Sequence, residues 1–412
     1  MIKSLLKKCG TKARMPSTLR LALILGALIA FAPMSIDMYL PAFPALQQDF
    51  ATTAGNVQMT LSLFLLGLAV GQLLYGPLAD RYGRKPPLYF GLAAYVLASG
   101  GAALAGGIDS LILLRLAQAL GGCAGMVISR AMVRDLFDER GSARIYARLM
   151  LVMGLAPILA PLVGGQILLV ADWRTIFWVL AGFGLLCLLA VIFFLPESLP
   201  AEKRRRDGLG QVFRTYGGLM ANGHYLAFAM TGGCVQAAMF AYITGSPFVF
   251  IELYGVPPEQ YGLLFGLNAI GLIAAAQLNH RLLARYEGRT ILNAILPLSA
   301  LAGVALALIA ATGIGGLTGL LIPLFFCVAS QGIVGPNALA AAMAPQGRNA
   351  GSAAALIGVL QFGTGGIAGA LVGLLNDGTA RPMAFIICAL MLAALALRLF
   401  VLPRIQSSPS AN

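Results

Sequence analysis

Charge is what this sequence has least of. Asp, Glu, Lys and Arg together supply 10% of its 412 residues, against about 25% in ordinary soluble domains. That shortage excludes a soluble globular protein and a disordered chain. Histidine is almost absent, with two residues, His224 and His280, neither of which has partners at metal-ligand spacing. The six cysteines contain no CxxC pair, and all but Cys9 lie in apolar stretches, where they read as small buried hydrophobes. A disulfide scaffold and a zinc ribbon are thereby excluded. No Walker loop, haem motif or Ser/His/Asp constellation occurs. The chain is therefore expected to be no enzyme, to hold no cofactor and no metal, and to lack what an ATP-driven pump requires.

What is present is apolar chain. Hydrophobic residues make up 59% of the sequence, and a membrane span needs about 20 mostly apolar residues. Apolar runs between charged or turn-rich breaks predict twelve helices, near 20–40, 56–77, 87–107, 111–131, 145–170, 174–195, 224–252, 259–280, 291–312, 316–341, 350–374 and 381–402. Lipid offers no partner to backbone polar groups, so such spans must be helical. A β-barrel would instead alternate polar and apolar residues. The basic N-terminus followed by an apolar run imitates a signal peptide around Ala30-Phe31-Ala32, but the run continues through Ile36 and reads as an uncleaved first span.

The net charge of +13 would suggest nucleic acid in a soluble chain. Here its distribution says otherwise. Of the 28 Lys and Arg, all but Arg115, Arg174 and Arg381 fall on one side of the twelve-span layout. By the positive-inside rule that side is cytoplasmic. Both termini are then cytoplasmic, the membrane lipid is the surrounding medium, and no nucleic acid is expected. The longest polar connection, 197–223, carries Glu202-Lys203-Arg204-Arg205-Arg206-Asp207 and reads as a solvated cytoplasmic linker. It divides the chain into six-helix halves at 1–196 and 224–412. Arg81-Tyr82-Gly83-Arg84 after span 2 is echoed by Arg285-Tyr286-Glu287-Gly288-Arg289 after span 8, which suggests two related halves.

The 2–3 loop reads Gly76-Pro77-Leu78-Ala79-Asp80-Arg81-Tyr82-Gly83-Arg84-Lys85-Pro86. The ordered G-x-L-A-D-R-x-G-R-K pattern in this loop of a six-plus-six chain resembles that of the major facilitator superfamily. Ser35-Ile36-Asp37-Met38-Tyr39-Leu40-Pro41, Ser129-Arg130-Ala131-Met132-Val133-Arg134-Asp135, Trp173-Arg174 and Gly245-Ser246-Pro247-Phe248-Val249 narrow the resemblance. Together they look like the bicyclomycin/chloramphenicol-resistance (Bcr/CflA) group of twelve-span drug:proton antiporters. The resemblance implies an all-α membrane protein with the major facilitator fold. It implies proton-coupled export of small amphipathic compounds, antibiotics among them, from the bacterial inner membrane, by a chain functional as a monomer. An exporter of an amino acid or other metabolite is the alternative on the same fold. A receptor that moves nothing is a further one.

Several residues carry the expected mechanism. Asp37 is the one carboxylate clearly inside a predicted span, where burying a charge costs roughly 2.5–3.5 kcal/mol and usually marks function. Its place towards the end of span 1 leaves open a solvated interfacial acid. Pro33 and Pro41 flank it, and a broken helix at a central cavity is where coupling ions tend to bind. Arg115-Leu116-Ala117-Gln118 resembles the superfamily's R-x-x-Q pattern, which implies an arginine that favours ionisation of a nearby acid. Two placements of Arg115 are open: beside Asp37, or snorkelling to the interface. Gly76 and Gly83 are expected to give the 2–3 loop a tight backbone. Asp80, Arg81, Arg84 and Asp135 are expected to form a conformational gating network. Gly154, Pro157, Pro161, Gly164 and Gly165 resemble the antiporter motif of span 5, with Ala160 where the family has glycine. Gly67 and Gly71 of span 2, and Gly365, Gly369 and Gly373 of span 11, are small-residue faces that the fold would place opposite each other. Tyr39, Gln236, Phe240, Tyr242, Phe248, Asn268, Asn337 and Gln361 are the polar and aromatic candidates for a substrate cavity.

Overall fold

The computed structural model describes residues 18–204 and 209–401. The basic residues from Lys3 to Arg14, the Arg205-Arg206-Asp207 part of the linker cluster and Arg404 lie outside these. Among the described residues there is no strand, and every apolar run is helical. Span 1 comprises Thr18–Ile29, Phe31–Asp37, a single tight turn at Leu40–Ala42, and Phe43–Asp49. Spans 2 to 6 are Ala54–Tyr82, Lys85–Ala103, Ile108–Leu136, Glu139–Val170 and Trp173–Phe194. A connecting helix, Leu209–Ala221, leads to span 7 at Gly223–Pro247, which continues as a wider turn through Leu253. Spans 8 to 12 are Pro258–Leu282, Gly288–Thr312, Gly316–Met343, Ala350–Leu374 and Arg381–Ala396.

Among the described residues, ten helices are individually long and apolar enough to cross a membrane, and the two parts of span 1 form an eleventh, bent by 40°. The twelfth expected span, Lys85–Ala103, is shorter and more diluted. Its 19 residues reach about 28 Å at 1.5 Å each, near the thickness of the hydrocarbon core. Its prolines, tyrosines, glycines and serine lower its apolarity.

Local chemistry sets the boundaries. Thr53, Asp138, Asp172 and Asn222 each accept a hydrogen bond from a first-turn N–H of the helix that follows, supplying partners that helix starts lack. Span 1 bends where Pro33 has no N–H to offer the Ile29 carbonyl. Span 7 widens directly after Pro247 for the same reason.

Span 2 packs on spans 4 and 11, span 5 on span 8, and span 7 on spans 10, 11 and 12. The span 2–span 11 contact is built by the later glycines: a Cβ on Gly366 would meet the Ser62 carbonyl at 2.9 Å, and one on Gly373 the Gly55 carbonyl at 3.0 Å. Gly67 and Gly71 do something else. They receive Ala119 and Cys123 of span 4, so that face serves packing between spans 2 and 4 and does not oppose span 11.

The polar connection also differs from the expected solvated linker. Tyr216 and Leu219 of its helix are buried, and its first residues, Glu197 and Ser198, hydrogen-bond into the 2–3 loop and span 4.

Candidate functional site

Asp37 closes the second helix of span 1. It is 3% exposed, so it is not an interfacial acid in water, and its Oδ1 has no hydrogen-bond partner among the described residues. The Leu40–Ala42 turn just beyond it packs on spans 7 and 8. Tyr242 and Tyr261 from those spans lie within electrostatic reach of the carboxyl group. Their hydroxyls are engaged elsewhere: Tyr242 accepts from Asn268 at 3.1 Å, and Tyr261 pairs with Ser246 at 2.8 Å.

Arg115 is completely buried, so it does not snorkel. Nor does an ion pair join it to Asp37. Its Nη1 donates to Gln118 at 2.6 Å and its Nη2 to the Ser35 carbonyl at 2.9 Å. The guanidinium carbon sits 4.2 Å from the Phe64 ring centre and 4.6 Å from that of Tyr39, where ring faces attract a cation. Tyr39 bonds to Thr60, and Ser35 to Tyr95 at 2.7 Å. The arginine thus fastens span 4 to the broken stretch of span 1, two residues before Asp37.

The 2–3 loop makes a denser network. Arg84 Nη1 donates to Asp80 at 2.6 Å, and its Nε to Asp135 at 2.8 Å. Burial works against its charge, but Asp135 and Asp80 more than offset this and hold the guanidinium pKa above its ordinary value. Ser198 donates to the same Asp135 carboxylate at 2.9 Å. Glu197 accepts the backbone N–H groups of Arg84 and Lys85 at 2.9 and 3.1 Å, capping span 3 from the end of span 6. Gly83 has φ +94°, a conformation costly for side-chain-bearing residues, and a Cβ there would also meet Glu197 and Arg204. Gly76 has no such duty: it lies inside the span 2 helix and lines a cavity. These bonds all join residues before 204, so the network lies within the first half and the start of the linker. Arg81 stands apart from it, over the Tyr82 ring.

The two ends of the bundle differ. At the end away from the basic loops, a Cβ on Gly164 would overlap the Met38 carbonyl, and one on Gly165 would come within 2.9 Å of the Pro258 carbonyl. Span 5 thereby touches span 1 at its break and the start of span 8. Pro157 and Pro161 lie inside that long helix, and Gly154 makes only ordinary contact with Ile273. At the basic end a cavity of about 360 Å³ lies between spans 2, 4 and 11 and the connecting helix. That volume falls in the range of small-molecule sites.

The sequence profile of the Major Facilitator Superfamily matches residues 24–370. The chain belongs to this superfamily. It is 38% identical over 83% of its length, and 85% of the relative's, to "Uncharacterized MFS-type transporter YdgK" of Bacillus subtilis. It is 32% identical over 90% of its length, and 92% of the relative's, to "Bicyclomycin resistance protein homolog" of Haemophilus influenzae. A match to "Chloramphenicol resistance protein" of Pseudomonas aeruginosa is 33% identical and covers 66% of this chain and 64% of that one. Among solved structures it resembles a D-xylose–proton symporter, with a TM-score of 0.72 at 16% identity over 92% of this chain and 97% of the other. That likeness shows the fold. Family and fold together point to a multi-pass membrane transporter of small molecules, not to an enzyme.

For this member of the superfamily the cavity at the basic end lies apart from the residues the sequence offered as substrate-cavity candidates. None of the eight candidate residues lines it. Tyr39, Tyr242 and Asn268 are buried in the hydrogen bonds just described. Gln236 accepts from Gln331 at 2.5 Å and Asn337 donates to Asn279 at 2.6 Å. Phe240 packs on Phe362 and Gly365, Phe248 starts the wider turn of span 7, and Gln361 sits half-buried in span 11. Polar and aromatic residues in spans bond to neighbouring helices as readily as to cargo, and the sequence alone does not separate the two. The residues it missed are Glu197, Ser198, Arg130 and Gln72. Glu197 gave a weak signal as an acid at the mouth of a basic loop. Arg130 was masked by the inside rule.

Proposed function

We propose that this chain is a proton-coupled antiporter that exports small amphipathic compounds, antibiotics among them, across the bacterial inner membrane. Both termini are cytoplasmic, so the cavity at the basic end faces the cytoplasm. Residues 1–196 and 224–412 are the two halves that rock about the cavity as a monomer, joined through 197–223. The names of the relatives from Haemophilus influenzae and Pseudomonas aeruginosa support drug export.

The observation that carries proton coupling is Asp37. It is a carboxyl group buried without a cation among the described residues, on the broken stretch of span 1 that packs against spans 7 and 8. An ionised carboxylate without a partner is expensive to enclose, whereas a neutral acid is tolerated. Asp37 would take a proton from the periplasm while the far end is open. Neutral, it can be enclosed against Tyr242 and Tyr261, and the far end closes while the cytoplasmic cavity opens. Release of the proton inward would require Arg115, which the Ser35 carbonyl holds two residues from Asp37, to come within range of the carboxylate as the halves move and so favour its charged form. The Arg84 network keeps spans 2, 3, 4 and 6 together as one rigid part during the movement. One acid in this position gives one proton per cycle.

Proton flux in proteoliposomes, wild type against Asp37→Asn, tests the reading with a panel of antibiotics and amino acids. Proton movement on adding one compound is expected in the wild type. The variant should lose that movement yet still exchange the compound downhill. Unchanged coupling in Asp37→Asn would overturn the role of this residue.

A further inference from the structure

The cavity at the basic end has an uneven charge. Four arginines line it, Arg81, Arg84, Arg130 and Arg134, with Asp80 as the one acid among its described lining residues. Asp80 is already committed to Arg84, which Asp135 also neutralises. Three guanidinium groups therefore face the space without a carboxylate of its own lining to balance them. Arg81 and Arg134 sit at the rim, where the positive-inside rule accounts for them. Arg130 does not belong to the rim. It lies one helical turn further in along span 4, about 6 Å deeper than Arg134. It is exposed, and it lines the cavity. Among the described residues no ion pair joins it to an acid. Its backbone is fixed by Tyr146 of span 5, whose hydroxyl donates to the Arg130 carbonyl at 3.1 Å.

The opposite wall adds to the same sign. Gly351 and Ser352, from the first turn of span 11, line the cavity. First-turn N–H groups carry the positive end of the helix dipole. Between these poles the lining mixes apolar residues, Pro77, Val127, Ile128 and Ala355, with the neutral polar residues Gln72, Tyr146 and Asn349. A cationic cargo would meet a net excess of positive charge here. A neutral one would gain apolar contact and hydrogen bonds but no charge pairing.

We propose that this cavity binds amphiphiles carrying one negative charge beside an aromatic or aliphatic body, such as aromatic carboxylates, with Arg130 as the anion contact. This rests on the exporter reading for its purpose, but not for the binding itself. A guanidinium holds a carboxylate through paired, charge-assisted hydrogen bonds.

The test is equilibrium binding to the full-length chain in detergent, by calorimetry, with three probes of one shape: naphthoate, naphthamide and naphthylmethylamine. Naphthoate is expected to bind about tenfold more tightly than naphthamide, and naphthylmethylamine least. Arg130→Gln should close the gap between naphthoate and naphthamide while leaving naphthamide unchanged, and Arg130→Lys should restore part of it. Three results would overturn the proposal: equal binding of naphthoate and naphthamide, an equal loss of both in Arg130→Gln, or no binding of any probe at millimolar concentration. Binding needs no proton gradient, so the two readings fail separately. Selective binding of naphthoate, with no compound moving protons in proteoliposomes, would sink the exporter reading and leave the anion site standing.

Discussion

The two ends of the bundle are closed and opened by different physics. At the far end, glycines bring backbone against backbone: Gly164 against Met38, Gly165 against Pro258 and Glu259, and Gly55 against Gly373. At the basic end no such backbone contact is made at Gly76, Gly351 or Gly83: a Cβ on Gly76 or Gly351 would have no described neighbour within 4 Å, and one on Gly83 would meet side chains, those of Glu197 and Arg204. Order there comes from charges on spans 2 to 6. A contact between backbones is short-ranged and is either made or broken. A charge network inside one half can persist while that half moves. The difference suits a steric seal at one end and a rigid, charged mouth at the other.

The sharpest way to break this contrast is to fill the glycine that touches most closely. Gly164→Leu has no room, because its Cβ alone would overlap the Met38 carbonyl, and a backbone atom cannot swing aside. Transport should drop to background, and a cysteine placed at Ser246 should become reactive from the far side. The matched change at the basic end, Gly76→Ala, should leave transport intact and raise helix stability by up to about 1 kcal/mol. Equal damage from both would remove the distinction between the ends.

The next effect concerns the charged mouth. Arg84 is 5% exposed and bridges Asp80 and Asp135. Arg84→Gln leaves two acids close together without their cation. A destabilisation of about 2 kcal/mol is expected, discounted from the fully buried case because Asp80 remains in contact with water. Arg84→Lys should recover less than half, since an ammonium cannot reach both carboxylates with a fixed fork. Thermal unfolding in detergent measures both, and a change below about 0.5 kcal/mol in Arg84→Gln would mean the pairs are ordinary surface ion pairs.

How far the fold was legible in the sequence follows from the solvent. Lipid permits only helices for long apolar runs, so the order of the spans and most of their limits could be read to about five residues. Span 1, read as 20–40, runs on to Asp49, and span 5, read from 145, starts at Glu139. Pro33 and Pro41 announced the break around Asp37, and the lower apolarity of Lys85–Ala103 was also there in its prolines, tyrosines and glycines, though it was read as a span like the others. Asp37 was legible because a carboxylate in a span is rare. Arg115 was legible as important but not as to its company. Three aromatic rings and two hydrogen bonds surround it while its Nε has no hydrogen-bond partner among the described residues, and only Gln118 among those partners is near it in sequence. Which span residues face cargo was not legible, because a tyrosine bonded to threonine and a tyrosine facing cargo have the same one-letter code. Arg130 was hidden for the opposite reason: an arginine near a cytoplasmic end already has an explanation.

A smaller effect is expected at Glu197, which ties the linker to the charged mouth. Its carboxylate accepts the Arg84 and Lys85 N–H groups at the start of span 3. Glu197→Ala should cost about 1 kcal/mol, as loss of a helix cap does. Glu197→Gln keeps one acceptor oxygen and should cost less. Both should slow transport less than Arg84→Gln. A larger transport loss in Glu197→Ala than in Arg84→Gln would place the critical contact in the linker, not in the arginine pairs.

The smallest effect lies back at the far end, in the exposed loop between spans 11 and 12. Asp377 accepts the Thr379 hydroxyl at 2.6 Å and its N–H at 2.9 Å, bonds that favour the carboxylate and hold its pKa below the ordinary value, the hydroxyl contact foremost. A depressed pKa contributes stability above the unfolded-state value, about 3.9 for aspartate, and loses it as pH falls through the folded-state value. Asp377→Asn should therefore be slightly less stable than the wild type by the same amount at every pH from about 5 to 8, a window set by that reference value. The two melting curves should converge only on acidification below the usual carboxylate range. Because the loop is exposed and its turn is local, transport should not respond. A transport loss in Asp377→Asn would show that the far end is held by its loop chemistry as well as by its glycines, and would blur the contrast between the two ends.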